Sequence, residues 1–252
     1  MLVSVIIPTK NSAKFIDQVI VNLLNQHYHD MEIIVVDNFS TDDTKERVAP
    51  FVDMVLEKGP ERVAQTNYAI SKCNGELIYV TGSDMMRDYD FIKECVATIQ
   101  KGYDAIYMSV KTDKDVKHFW GRVKALERDC IIGTKIESAR FFTKDVWEKL
   151  GGFNEKTLAM EEDFQNRLDI GHYRTTWIKS REYHLHEDDS LWKIFKKAFY
   201  YGKNIDFEIK RHKPNRVSLK PFYKHPFLLV GIIIYKAVQY IGGGLGWLLR
   251  GR

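Results

Sequence analysis

The sequence predicts an α/β fold, a mostly parallel sheet flanked by helices, followed by a helical C-terminal tail that associates with a membrane. Three observations predict it. Apolar, β-branched runs alternate with helical-period segments as β-α-β-α-β within about 85 residues. The run Leu77–Thr81 is apolar, aromatic or β-branched throughout, as in a strand covered on both faces. From residue 193 onward the chain becomes first basic and then apolar.

The elements follow in order. Val3-Ser4-Val5-Ile6-Ile7-Pro8 reads as a buried strand closed by Pro8-Thr9-Lys10-Asn11. Residues 12–27 read as a helix, with Phe15, Val19 and Leu23 near a period of 3.6. Glu32–Asp37 is a second strand ending in an acid, and Asn38–Asp43 is turn and N-cap material before a helix from about Thr44 to Phe51. Asp53–Leu56 is a short strand, Gly59-Pro60-Glu61-Arg62 a loop, and Val63–Lys72 a helix. The strand Leu77–Thr81 breaks at Gly82 and delivers Asp84 just past its C-terminal end, the edge where open α/β sheets bind ligands. Residues 91–101 are helical, Ala105–Val110 a strand, 115–133 a helix, Ala139–Thr143 a strand and Lys144–Leu150 a helix ending at Gly151-Gly152. Met160–Leu168 is a helix and Thr175–Ile178 a late strand, leading to His184-Leu185-His186-Glu187.

The 252 residues suit one large α/β domain, or a domain with a tail, and are enough for a substantial core. The boundaries expected are 1–205 for the domain and 206–252 for a basic linker and apolar segment. Cys73, Cys95 and Cys130 are odd in number, far apart and form no C-x-x-C, so neither a disulfide framework nor a zinc site is expected and a reducing compartment is. Met1-Leu2-Val3-Ser4 enters a strand at once, so no signal peptide is expected ahead of it. Net charge is +4, unevenly spread. Residues 193–225 carry ten Lys/Arg against Asp206 and Glu208, residues 226–252 add Lys236, Arg250 and Arg252, and the body before them stands at −7.

No G-x-G-x-x-G follows the first strand and no G-K-[ST] occurs, which excludes the usual dinucleotide and P-loop phosphate turns. An acid at Asp84 suits a hard cation bridging phosphate oxygens; the plainer alternative is an N-cap for the next helix. Glu161-Glu162-Asp163 offers carboxylates for proton transfer, or an acidic first turn favoured by the helix dipole. His184 and His186 are candidate ligands or a solvated loop pair, with Glu187, Asp188 and Asp189 raising their basicity.

Taken together, Ser4-Val5-Ile6-Ile7-Pro8-Thr9, Ile34-Val35-Val36-Asp37-Asn38-Phe39-Ser40-Thr41-Asp42, Gly59-Pro60-Glu61-Arg62 with Asn67, Gly82-Ser83-Asp84, Gly151-Gly152-Phe153, Glu162-Asp163 and His186 resemble family 2 of the GT-A glycosyltransferases, over residues 1 to about 205. The resemblance implies a single α/β domain that transfers a sugar from a nucleotide-sugar with inversion, using Mn²⁺ or Mg²⁺. It implies Pro8, Thr9 and Asp37 at the base-binding wall, Arg62, Asn67 and Ser83 at the donor, Asp84 and His186 on the metal, with His184 a less favoured substitute, and Asp163, paired with Glu162, as the catalytic base. Gly82 stands where the family's D-x-D motif has its first acid, which leaves Asp84 to fill the metal shell with diphosphate, waters and a histidine.

In the tail, Leu191–Tyr201 mixes aromatics and lysines at helical spacing, as an interfacial helix, a packed core helix or a nucleic-acid patch would; no nucleic-acid motif accompanies it. Pro226–Leu249 is apolar but interrupted by Lys236 and Gly242-Gly243-Gly244, so it reads as interfacial or re-entrant, with a tilted span as the alternative. Membrane attachment on the cytoplasmic side and a lipid-linked acceptor of polyprenyl-phosphate type, or another glycan, follow as expectations. The competing functions are a degenerate, non-catalytic nucleotide-sugar-binding protein on the same fold, to which Gly82 points, and a nucleotidyltransferase.

Overall fold

The computed structural model of the chain describes residues 1–112, 118–132, 134, 137–157, 160–185, 190–203 and 226–249. The chain divides into two compact units: Met1–Ser109, Glu137–Glu155 and Met160–Leu185 form the first, and Val110–Ile136, Lys156–Ala159 and His186–Arg252 the second.

The first unit is a seven-stranded sheet with helices. Its strands are β1 (Val3–Thr9), β2 (Met31–Asp37), β3 (Met54–Glu57), β4 (Leu77–Val80), β6 (Ala105–Tyr107), β8 (Ala139–Thr143) and β9 (Thr175–Trp177), in the order β3-β2-β1-β4-β8-β6-β9. Parallel pairing joins β3, β2, β1 and β4; β8 runs antiparallel to β4 and β6. The helices are α1 (Ile16–Leu24), α2 (Thr44–Val48), α3 (Arg62–Lys72), α4 (Phe91–Ile99), α6 (Lys144–Lys149) and α7 (Met160–Ile170). β1 and β4 are buried along their whole length, so alternate residues feed two cores. Val5, Ile7 and Tyr79 join α1 and α4 on one face; Ile6, Ile78 and Val80 join α3 and α7 on the other.

Several expected elements are reshaped. The helix expected from residue 12 starts at Ile16; ahead of it the Ser12 N–H donates to Thr44 Oγ1 at 2.8 Å, and the Ser12 carbonyl accepts from the Phe15 and Ile16 amides in the turn that leads into the helix. The strand expected over 105–110 ends at Tyr107, where a bulge shifts its register against β8; Val110–Thr112 (β7) belongs to the second unit. The helix 44–51 closes as a 3₁₀ turn, Ala49–Phe51, at Pro50. Two short strands, β5 (Met85–Arg87) and β10 (Glu182–His184), pair antiparallel beside the Asp84 loop. Three residues are too few to show a period in sequence.

The second unit contains α5 (Phe119–Asp129), α8 (Leu191–Gly202) and α9 (Pro226–Leu248). Val123, Leu126, Ile194, Leu228, Ile232 and Tyr235 form its core. Contrary to the re-entrant reading, α9 runs unbroken for 23 residues. Lys236 does not interrupt it, because its ammonium is paired with Glu127 and bonded to Gln239 Oε1 at 3.1 Å. The glycines do not interrupt it either: Gly242 and Gly246 face α8, and Gly244 is exposed with nothing within 4 Å. A Cβ at Gly242 would sit 2.8 Å from Phe195 O, and Cβ atoms at Gly246 and Gly202 would overlap Phe199 O and Gly243 O. Each glycine costs a helix interior about 1 kcal/mol, which close backbone approach offsets, as small residues do between packed apolar helices.

Candidate active site

The C-terminal ends of β1, β2 and β4 set out the site. Thr9 ends β1 and Asp37 ends β2, paired in register. Asp37 is fully buried; one oxygen accepts from Thr9 Oγ1 at 3.1 Å and Ser40 Oγ at 2.5 Å, the other from the Ser40 amide at 2.6 Å. Pro8, inside β1, faces the buried sheet opposite Val36. Gln65 donates to Thr9 O at 3.0 Å and to Val36 O at 2.6 Å, tying α3 to both strand ends. Asn38 donates to Pro60 O, and Phe39 projects 63% exposed beside it. Pro8, Thr9 and Asp37 are therefore buried at the two strand ends, with Phe39 exposed beside them.

Beyond β4 the chain turns through Gly82 to Ser83, whose hydroxyl lies 2.8 Å from Ser12 Oγ. Asp84 follows with its carbonyl accepting from the Leu185 amide at 2.8 Å. That bond and the β5–β10 pairing bring His184 to Asp84, with Nε2 and Oδ2 3.2 Å apart. His184 Nδ1 lies 3.0 Å from Leu185 O, which can only accept, so Nδ1 carries the proton. Nε2 then either carries a second proton or aims a lone pair at the place the Asp84 carboxylate also faces. A cation satisfies the second arrangement, and the carbonyl that fixes the ring is the usual support of a metal-ligating histidine. His186, the histidine favoured from sequence, lies outside the described residues. Among the described residues no cluster of three or more His, Cys, Asp or Glu side chains is formed. A Cβ at Gly82 would come within 2.8 Å of Asp84 Oδ1, so the glycine leaves this carboxylate its room.

The carboxylates of α7 separate by face. Glu161 reaches Arg62, at the start of α3, with Nη1 to Oε1 at 2.6 Å. Burial alone would raise its pKa, but the Arg62 and Arg140 guanidinium groups outweigh it and hold the carboxyl below the usual range. Asp163, 4% exposed, instead accepts from Arg167 Nε at 2.9 Å, and Arg167 Nη1 donates to Leu150 O and Gly152 O at 2.7 and 2.8 Å. Asp163 thus holds α7 onto the Gly151-Gly152 turn, where both glycines have positive φ. Glu162, between them, is half-buried. Asn67 is likewise committed: its amide exchanges two 2.9 Å bonds with the Phe153 backbone. Of the residues picked from sequence, Asp84 and Arg62 line the site, Ser83 braces its loop, and Asp163 and Asn67 brace the turn behind it. Glu161, not among the residues picked from sequence, pairs with Arg62, while Asp163 and Arg167 stand at i,i+4, the spacing of a helical ion pair.

Beneath the site lies a buried polar network. Glu182 of β10 is fully buried, paired with Arg140 of β8 and accepting from Tyr79; Thr81 Oγ1 also donates to it at 3.2 Å. Burial pushes the Tyr79 phenol well up, so it remains a donor. Arg140 feels the negative charge of Glu161 and Asp84 as well as of Glu182. No local pattern announces this set, whose members come from three distant strands and the Thr81 turn.

Residues 4–176 match the family model described as glycosyl transferase family 2. The chain is 24% identical over 209 residues to the GalNAc(5)-diNAcBac-PP-undecaprenol beta-1,3-glucosyltransferase of Campylobacter jejuni, covering 77% of this chain and 65% of that one. It is 23% identical over 217 residues to a dolichyl N-acetyl-alpha-D-glucosaminyl phosphate 3-beta-D-2,3-diacetamido-2,3-dideoxy-beta-D-glucuronosyltransferase of Methanococcus voltae, covering 82% and 60%. The chain therefore spans slightly under two thirds of the length of these relatives. In fold it is similar to the mannosyltransferase PcManGT of Pyrobaculum calidifontis, solved with GDP-Man and Mn²⁺, with a TM-score of 0.62 and 21% identity over 97% of this chain and 73% of that one.

Proposed function

Because the chain belongs to glycosyl transferase family 2, we propose that it moves a sugar, with inversion, from a nucleotide-sugar to a hydroxyl of a lipid-linked acceptor at a membrane. The observation that carries this reading is the pairing of two charged centres at one sheet edge: Asp84 with His184, and Glu161 with Arg62. Both carboxylates act on the same buried guanidinium, Arg140. The wall of Thr9, Asp37 and Phe39 takes the base. Asp84 and His184 Nε2 are the donor set that fits Mn²⁺ or Mg²⁺, ions that keep waters and phosphate oxygens and need few protein ligands. Such an ion, when bound, neutralises charge on the leaving diphosphate.

The acceptor oxygen forms its bond to the anomeric carbon as the bond to the diphosphate breaks. Glu161, kept ionised by Arg62 and Arg140, receives the hydroxyl proton in place of Asp163. The relatives named for undecaprenol- and dolichyl-linked substrates support a lipid-linked acceptor. The stretch Phe227–Leu248 is long and apolar enough to cross a membrane and only 28% of it is buried, unlike a core helix. At 23 residues α9 is about 34 Å long, against a hydrocarbon core of about 30 Å. The excess of Lys/Arg just before it supports a cytoplasmic active site. Residues 1–205 then form the catalytic part and 206–252 the linker and anchor.

The test incubates the full chain with a panel of nucleotide-sugars, Mn²⁺ and detergent-dispersed polyprenyl-diphosphate saccharides, and follows nucleoside diphosphate release and lipid-linked product. Wild type should turn over with at least one donor, and Asp84→Ala should lose Mn²⁺-dependent donor binding while keeping its fold. Donor binding without turnover under every condition would favour the non-catalytic reading that Gly82 raises.

A further inference from the structure

Asp84 meets His184 because a turn and a two-stranded ribbon bring them together, and one buried residue belongs to both supports. Arg87, 3% exposed, ends β5 and stands opposite Glu182, in the register that sets Met85 opposite His184. Its guanidinium runs back under the turn. Nη2 donates to Met85 O and lies 3.5 Å from Thr81 Oγ1, at the two ends of Gly82-Ser83-Asp84. Cζ lies 5.6 Å from the centroid of the Tyr79 ring. The main chain of Arg87 is fixed from α1: its amide donates to Asn22 Oδ1 at 3.0 Å, and its carbonyl accepts from Asn22 Nδ2 at 3.0 Å. Gln26, one turn further along α1, donates to Asp88 O at 3.0 Å. Both side chains are buried.

A buried guanidinium costs more than a neutral side chain of its size. The Glu182 carboxylate opposite is paired with Arg140, so ion pairing is not what places Arg87 here. What Arg87 supplies is a stiff, planar donor group at one point, and that point lies behind both ends of the Asp84 turn. The turn needs a brace. Gly82 gives its backbone freedom that a side chain would remove, and strands of three residues specify register weakly. We infer that Arg87 is a positioning residue: it ties Thr81, Met85 and α1 together and so holds the Asp84 carboxylate against His184 Nε2. The inference rests on the reading of Asp84 and His184 as the donor set for Mn²⁺ or Mg²⁺, and it names the residue that keeps the two within reach of one ion.

The experiment uses the full chain and reads Mn²⁺ binding by electron paramagnetic resonance, without donor or acceptor, beside thermal unfolding. Arg87→Met removes the donors at similar length, and Arg87→Lys keeps one cationic donor toward Met85 O. Arg167→Met is the control: it loses the bonds to Asp163, Leu150 O and Gly152 O and leaves the Asp84 turn alone. Arg87→Met should bind Mn²⁺ about 10- to 100-fold more weakly than wild type, the usual effect of removing a group that orients metal ligands from behind. Arg87→Lys should recover most of that loss. Arg167→Met should lose Tm and bind Mn²⁺ as wild type does. Wild-type affinity in Arg87→Met at a lowered Tm would make Arg87 a stability residue only and overturn the inference, as would an equal loss of affinity in Arg167→Met. Should Arg87→Met not fold, Asn22→Ala, which frees the Arg87 main chain, decides in its place: weakened Mn²⁺ binding upholds the inference and unchanged binding overturns it. A second arm needs no metal. The Leu185 amide donates to Asp84 O at 2.8 Å, and its hydrogen exchange should be about tenfold faster in Arg87→Met than in Arg167→Met. If wild type binds no Mn²⁺, the metal reading of Asp84 and His184 fails and this arm alone decides: faster exchange confined to Arg87→Met upholds the positioning role, and equal exchange in the two variants overturns it.

Discussion

Replacing Glu161 by Gln and Asp163 by Asn separates two carboxylates that stand two residues apart on one helix. Glu161 faces the site with Arg62 at 2.6 Å; Asp163 faces the body of the unit with Arg167 at 2.9 Å. Glu161→Gln keeps the shape and loses the proton acceptor. The expected cost is about 10²- to 10⁴-fold in kcat, or roughly 3–5 kcal/mol in the barrier, with KM for the donor little changed. Asp163→Asn keeps the proton acceptor and weakens the bond to Arg167, whose other ties to Leu150 O and Gly152 O remain. A hydrogen bond to a charged group contributes about 1.5–3 kcal/mol, so Tm should fall by about 3–12 °C for a chain of this size, with kcat within about tenfold of wild type. Steady-state kinetics with a hydroxyl acceptor and thermal unfolding of both variants are the assay. A Glu161→Gln enzyme with near-normal kcat, beside an Asp163→Asn enzyme that keeps its Tm and loses turnover, would refute the assignment and return the base to Asp163.

Three other outcomes follow from the same geometry. Because Arg62 and Arg140 hold the Glu161 carboxyl low against burial, its ionised form persists to lower pH and its stabilisation is lost only as pH falls through that lowered folded value; Arg62→Met should move the acidic limb of the kcat–pH profile upward, and an unmoved limb would detach Arg62 from Glu161. Arg140→Met leaves the fully buried Glu182 charge without its partner and should cost about 3–5 kcal/mol, or about 6–20 °C in Tm, largely restored in Arg140→Met/Glu182→Leu; no recovery in the double variant would show that the pair is not the source. Gly246→Ala forces a methyl onto Phe199 O and should destabilise the helical unit by about 1–3 kcal/mol, whereas Gly244→Ala, with nothing within 4 Å, should stabilise it by up to about 1 kcal/mol; equal effects in denaturant titrations would contradict the α8–α9 packing.

The sequence by itself determined the first four parallel strands and the helices between them. Val3–Thr9, Met31–Asp37 and Leu77–Val80 are continuous β-branched runs, and a run buried on both faces states its burial in its own composition. It also placed Asp84 beyond β4, since Gly82 ends that run. The acidic body and basic, apolar tail were legible for the same reason: charge and hydropathy are sums over local residues. The tertiary structure alone decided which side chains meet. Glu161 meets Arg62, 99 residues away, and His184 meets Asp84 through a three-residue strand pairing with β5. The Tyr79–Arg140–Glu182 network joins positions 42 to 103 residues apart. The glycines of α9 looked like breaks because a lone helix is weakened by glycine; against α8 the missing side chains are what allow two backbones to touch. Backbone preference is written residue by residue, but the partner of a side chain is set by the path of the whole chain.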